Sequence, residues 1–235
     1  MKGERWTGLD ADAVADEAAR RFVDAARTAV AARGRFVVAL AGGSTPKATY
    51  ERLASPSWRG EVDWPRVQVC FGDERAVPPD HRDSNYGMAR RALLDHVPVA
   101  AAHVHRIEGE RPDADARYEH ALHALLPDGV FDLVLLGMGP DGHTASLFPH
   151  TPALHERHRR VVKNHVAKLQ ADRFTITFPT INAARAVVLT VCGAEKAPAL
   201  LAIGLHPDEM ELYPVLGVAP RAGALTWLLD RSAAG

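Results

Sequence analysis

Two side chains that can move a proton, Asp141 and His143, stand two positions apart among turn-forming residues, Gly137-Met138-Gly139-Pro140-Asp141-Gly142-His143. An imidazole has an unperturbed pKa near neutrality, which makes it the usual side chain for general base catalysis. The run before them, Phe131 to Leu136, is apolar and of strand length, and glycine closes it. Such a run suits a strand buried on both faces of a parallel sheet. Ligands of open α/β sheets sit outside the carboxyl ends of the strands, so an acid and an imidazole stand where a ligand belongs.

Two other readings fit this stretch. Gly137 to Gly142 matches G-x-G-x-x-G, but a dinucleotide site needs a second strand ending in an acid roughly 20 residues on. The chain instead continues into His155-Glu156-Arg157-His158-Arg159-Arg160, with no strand leading to Glu156. The other reading is a plain turn, with Asp141 capping a helix and His143 solvated.

Three further turns carry polar chemistry. Arg35 to Ala41 reads as a strand and runs into Gly42-Gly43-Ser44-Thr45-Pro46-Lys47. Thr45 is expected as N-cap and Pro46 as first residue of a helix reaching Leu53, which aims backbone N–H groups at an anion. Val67 to Phe71 is a strand ending in the turn Gly72-Asp73-Glu74-Arg75, followed by a helix from Asn85 to His96 capped by Ser84. Ala186 to Cys192 is a strand leading to Gly193-Ala194-Glu195-Lys196 and a short helix to Ile203. In a parallel α/β sheet these four strand ends share one edge, so their turns face one crevice. That crevice would hold an anion loop, an Asp-Glu-Arg cluster, an Asp-Gly-His loop and a lysine.

The remaining elements position these turns. Residues 10–33 read as an amphipathic helix stopped by Gly34, and residues 1–34 as a whole look like one long helix. A helix is expected over Pro112 to Leu126, an alternating strand near a sheet edge over Arg173 to Phe178, and a last strand over Leu225 to Leu229. The fold class is α/β, a mainly parallel sheet flanked by helices, in a single domain over residues 1–235.

Composition excludes several classes. With 235 residues, 47% hydrophobic and 24% charged, the chain buries a real core and is neither disordered nor membrane-like. A net charge of −1 offers no general attraction for nucleic acid. No window is apolar enough to span a membrane, and Met1-Lys2-Gly3-Glu4-Arg5 begins no signal-peptide pattern. Cys70 and Cys192 sit in apolar runs as buried thiols, so a reducing cytoplasm is expected. His103 with His105, and His155 with His158, lack a third ligand nearby, and no metal site is expected. Oligomeric state is not legible; a monomer is compatible with everything read.

The motifs also resemble a known family. Gly42-Gly43-Ser44-Thr45-Pro46, the Gly72-Asp73-Glu74-Arg75 turn with Ser84-Asn85-Tyr86, and Gly137-Met138-Gly139-Pro140-Asp141-Gly142-His143-Thr144-Ala145-Ser146-Leu147-Phe148-Pro149 are similar to those of 6-phosphogluconolactonases. The likeness runs from about residue 36 to 203. It implies a Rossmann-like sugar-phosphate isomerase type of fold, hydrolysis of 6-phosphogluconolactone in the pentose phosphate pathway, and no cofactor. On that reading His143 is the base that deprotonates water, and either Asp141 or Asp73 orients the imidazole or a substrate hydroxyl. The N–H groups of the Gly42, Gly43, Ser44 and Thr45 loop hold the phosphate with Lys196. Arg75 adds charge there or pairs with Asp73 or Glu74. The partner is then a sugar-phosphate lactone, with no nucleic acid and no membrane.

Three rivals remain at this point. Glucosamine-6-phosphate deaminases share the motifs but carry a glutamate five residues after the histidine, where this chain has Phe148. A serine hydrolase would use Ser44, although Gly42 to Pro46 lacks the closing glycine of G-x-S-x-G. A non-enzymatic sugar-phosphate sensor would use the same crevice and normally add a DNA-binding helix-turn-helix.

Overall fold

The computed structural model describes residues 2–235; Met1, part of the N-terminal segment read above, lies outside the described residues. In chain order the elements are β1 (Glu4–Gly8), α1 (Ala11–Arg33), β2 (Phe36–Leu40), α2 (Ser44–Ala54), β3 (Val67–Phe71), β4 (Asp73–Arg75), α3 (Asn85–Ala92) and α4 (Ala114–Leu125). There follow β5 (Leu133–Gly137), β6 (Val161–Val166), β7 (Ala171–Ile176), α5 (Phe178–Ala183), β8 (Ala186–Val191), α6 (Ala197–Leu205), β9 (Ala224–Asp230) and α7 (Arg231–Ala234). Six strands form a parallel sheet in the order β1-β9-β8-β5-β2-β3, and three form an antiparallel sheet, β4-β7-β6.

Local sequence explains the main elements. Every residue of β2 is buried, as expected of a parallel strand covered on both faces. The Asp10 side chain accepts the Ala13 N–H at 2.9 Å to start α1, and Gly34, at φ 73°, ends it in the left-handed region. The buried stripe of α1, Val14, Ala18, Phe22, Ala26 and Ala29, recurs at three- and four-residue steps and faces β1, β2, β8 and β9. Phe22 meets Phe36 edge-on at 5.2 Å and Trp64 at 5.9 Å, joining α1 to β2 and to the turn before β3.

The chain leaves β2 for β3 on one side and returns to β5, β8 and β9 on the other. Strand order therefore reverses between β2 and β5, the place where open α/β sheets form their ligand crevice. The carboxyl ends of β3, β2, β5 and β8 are consecutive neighbours, so the four turns singled out in the sequence do share one edge.

Several expectations need correction. A strand, β1, precedes α1; it is an exposed edge strand with a single partner, β9, and its ERWTG sequence has no apolar run. Asp73-Glu74-Arg75 is not a turn but a short strand, because β7 supplies an antiparallel ladder for it. The strand expected from Arg173 to Phe178 spans Ala171–Ile176 and is the middle strand of its sheet; Phe178 instead opens α5, with a proline following it. Its neighbour β6, hidden in a polar stretch, is an added strand. The helix expected through His96 ends at Ala92, a separate 3-10 turn covering Leu94–His96. Thr45 is not the N-cap of α2, which begins at Ser44 after Gly43.

The core makes one stability statement testable. Phe22→Ala should lower the unfolding free energy by about 3–5 kcal/mol. Leu201→Ala, on a side chain 67% exposed, should change it by no more than about 0.5 kcal/mol. Urea unfolding of both variants checks the contrast.

Candidate active site

Gly42, Gly43, Ser44, Thr45, Asp73, Arg75, His143 and Lys196 line one cleft of about 260 Å³ at the carboxyl ends of β2, β5 and β8. Asp141 does not line it and stands behind His143. A wider groove of about 520 Å³ runs between α3 and α4, but its arginines are occupied: Arg106 by Glu110, Arg117 by Glu108 and Arg90 by Asp95. The chemistry lies in the smaller cleft.

The loop after β5 is built to hold the imidazole. The Gly139 N–H donates to the His143 carbonyl at 2.8 Å and the Gly142 N–H to the Gly139 carbonyl at 3.0 Å, closing a tight turn. A Cβ on Gly139 would lie 2.0 Å from His143 Nδ1, so only glycine admits the ring. Asp141 Oδ1 is 2.5 Å from His143 Nδ1 and also accepts the His143 N–H at 3.2 Å. An ionised carboxylate only accepts, so Nδ1 carries the proton and Nε2 presents a lone pair. The Phe148 ring stacks on the imidazole at 4.0 Å between centroids and 20° between planes. Burial pushes the His143 pKa down to about 4; Asp73 opposes this, while Lys196, Arg173 and Arg75 reinforce it. The imidazole is therefore uncharged at neutral pH.

Asp73, a candidate partner for the ring, makes no hydrogen bond to it. Its Oδ1 accepts from Asn85 Nδ2 at 3.0 Å and its Oδ2 from Ser146 Oγ at 2.7 Å. Glu74 points the other way along β4 and is 2% exposed. It accepts from the N–H groups of Arg75, Asn85 and Tyr86 and from Ser84 Oγ, at 2.7–3.0 Å, and so anchors the start of α3. Burial raises its pKa against the pull of those N–H groups.

The anion loop is left open. Gly43, at φ 109°, turns the chain into α2 without any side-chain cap, so the first-turn N–H groups of Ser44 and Thr45 have no helical carbonyl to bond. Gly42 packs against the Asn85 amide. Lys196, in the 3-10 turn after β8, is 18% exposed, and its nearest carboxylate is Glu195 at 3.9 Å. Arg75 pairs with neither Asp73 nor Glu74 through its side chain; its guanidinium donates to the Asp83 carbonyl, and its buried Nε has no partner. No hydrogen bond joins Ser44 to His143.

The sequence reading missed Arg173. It sits opposite Arg75 in the β4–β7 register, and its Nε is likewise buried and unpartnered. Burial and the Arg75 charge hold it below its ordinary pKa. A lone arginine leading the apolar run R-F-T-I-T-F was the available signal. Asn85 and Ser146, which fix Asp73, lay inside quoted motifs without a role. Among the described residues no three His, Cys, Asp or Glu side chains converge as a metal set, and no helix is long and apolar enough to cross a membrane.

The chain is similar in sequence and fold to several known proteins. A 6-phosphogluconolactonase of Nostoc sp. is 42% identical over 214 residues, covering 88% of this chain and 86% of that protein. The solved 6-phosphogluconolactonase of Trypanosoma cruzi is 31% identical and superposes with a TM-score of 0.85 over 99% of this chain and 96% of its own. A solved monomeric glucosamine-6-phosphate deaminase superposes with a TM-score of 0.83 over 98% of both chains, but at 22% identity that likeness bears on the fold alone. Residues 9–227 match the family profile described as glucosamine-6-phosphate isomerases/6-phosphogluconolactonase, and the chain belongs to that family.

Proposed function

We propose that this protein hydrolyses 6-phospho-D-glucono-1,5-lactone to 6-phospho-D-gluconate, the lactonase step of the oxidative pentose phosphate pathway, with His143 as general base. The observation that carries the reading is the imidazole itself: neutral, tautomer-fixed by Asp141, stacked on Phe148, and facing an uncapped helix start with a lysine beside it. His143 Nε2 takes a proton as water attacks the lactone carbonyl. The carbonyl π bond opens to an oxyanion, which then collapses with cleavage of the bond from C1 to the ring oxygen. The imidazolium returns its proton to that oxygen, and the base is regenerated. Arg75 and Arg173, two of the cations that disfavour the imidazolium, also favour the oxyanion. The phosphate lies on the N–H groups of Gly43, Ser44 and Thr45, with Lys196 and Arg75 adding charge. The reaction needs no cofactor.

Phe148 separates this activity from deamination. A phenyl ring accepts no conventional hydrogen bond and fixes no tautomer, so it cannot serve as the relay glutamate that the deaminases place here. A coupled assay should show 6-phosphogluconate forming from fresh lactone well above the uncatalysed rate. With glucosamine 6-phosphate, no ammonia should appear above background; enzymatic release of ammonia would overturn the reading.

His143→Asn should lower kcat by at least about 10²-fold with the fold intact. The active form is the neutral imidazole, so activity is present above the pKa and lost as pH falls through it. In wild type the acid limb of kcat/KM, which reports the free enzyme, should therefore lie near about 4 and not near 6.5. A bound phosphate offsets the cations, so the acid limb of kcat should lie higher. A variant with near-full kcat would remove His143 from the mechanism.

Lys196→Ala loses a charge-assisted contact of about 1.5–3 kcal/mol, roughly 10- to 100-fold in kcat/KM for the phosphorylated lactone. Turnover of unphosphorylated gluconolactone should barely change. Equal losses on the two substrates would move Lys196 away from the phosphate.

A further inference from the structure

The tip of the β6–β7 hairpin brings a charged group to the site that neither motif nor family description singles out. Six residue pairs join the two strands, and the connection is a single 3-10 turn, Ala167–Leu169, closed by Gln170 in the left-handed region at φ 47°. This places Lys168 over the loop after β5. Its ammonium pairs with Asp141 Oδ2, the oxygen left free when Oδ1 binds the imidazole, and lies 5.0 Å from the centre of the Phe148 ring. Lys168 therefore touches both residues that touch the His143 ring.

The hairpin is fastened to that loop elsewhere as well. On β6, the buried Asn164 donates to the Ser146 carbonyl at 2.9 Å and to Thr151 Oγ1 at 3.1 Å. On β7, Thr175 Oγ1 accepts the Ser146 N–H at 3.3 Å. Hairpin and loop are thus fixed to one another at their base, and Lys168 completes the contact at the tip.

We propose that Lys168 is a positioning residue for the reaction, acting through Asp141 to hold the His143 imidazole neutral and in line with the cleft. The inference rests on His143 being the base. A carboxylate bonded to an imidazole ordinarily favours the imidazolium, which would spend the base on a bulk proton. An ammonium on the far oxygen offsets that charge while leaving the Nδ1 hydrogen bond in place. The other charged groups facing His143 are Asp73 and Arg75 on β4, Arg173 on β7 and Lys196 after β8. Of the cations, only Lys168 reaches it through the carboxylate that fixes the tautomer. Its side chain is 52% exposed, so water screens part of the effect.

Lys168→Met in the full-length chain tests this, with Lys168→Arg as the charge-restoring control. Heteronuclear NMR of the imidazole should place the His143 titration about half a unit to one unit higher in the Met variant, given the screening. The acid limb of kcat/KM should move up with it; at neutral pH the imidazole stays unprotonated, so a fall in kcat there of about three- to tenfold, with KM within about twofold, reads the loss of its alignment. The arginine variant should return each quantity towards wild type. Thermal unfolding of both should match wild type, since the side chain is half exposed. A His143 titration unchanged in the Met variant would reduce the pair to a surface contact and overturn the proposal. A rise in KM with kcat unchanged would make Lys168 a substrate contact, which also overturns it. The NMR titration needs no turnover, so a protein without lactonase activity would refute the proposed function while this inference is still decided.

Discussion

Two consecutive carboxylates, Asp73 and Glu74, are buried on opposite sides of a three-residue strand, and the site depends on both being satisfied. A buried carboxylate is tolerated only when hydrogen bonds replace the water it loses. Glu74 meets that requirement with three backbone N–H groups and the Ser84 hydroxyl, which fixes where α3 begins. The helix start in turn delivers Asn85 to Asp73, and Ser146 reaches Asp73 from the loop that carries His143. One strand thereby ties α3, the β2 loop and the β5 loop into a common frame. Each donor lost leaves a buried carboxylate with fewer partners, so these polar residues help to set the geometry of the site.

Within that frame the imidazole is tuned by exclusion of water more than by any single charge. Phe148 covers one face, and three cations stand close enough to penalise a fourth. The same arrangement suits a substrate that brings negative charge at two places, a phosphate on arrival and an oxyanion during reaction. Arg75, in the cleft, and Arg173, its cross-strand partner, are unfavourable neighbours of one another, and in the proposed reaction a dianion beside Arg75 would relieve them. On the proposed reading, binding and catalysis draw on one electrostatic field.

Much of this was legible in the sequence because the parallel strands are apolar throughout and end in glycine. Runs such as F-V-V-A-L and L-V-L-L-G have no exposed face to supply, and the turns after them stand out. The antiparallel sheet was harder to read. Its β4 is three charged residues whose strand geometry comes from β7, a partner about 100 positions later. In β6 the inward position is Asn164, polar yet 2% exposed, because Ser146 and Thr151 receive its amide. A polar residue between Val162 and Val166 breaks the apolar alternation that would reveal the strand. The start of α2 was misplaced by two residues, since a cap preference points to Thr45 while the loop keeps its N–H groups uncapped after Gly43. Roles shared across strands, such as those of Arg75 and Arg173, belong to register and leave no local trace.

The outermost pairing of the large sheet bears on how the molecule is made. β1 has a ladder with β9 alone, and Glu4 and Thr226, partners in it, are 222 positions apart. The contacts around it are equally remote: the Trp227 indole donates to the Lys2 carbonyl, and Arg5 to the Ala234 carbonyl. α1 packs on its near neighbours α2 and β2 as well as on β9, but β1 finds its ladder only in that distant strand. β9 must then enter between β1 and β8, making two parallel ladders at once. Non-local pairing of this kind slows folding and leaves apolar surface uncovered meanwhile. Until β9 is seated the large sheet has an open seam between β1 and β8, and one strand closes it on both sides.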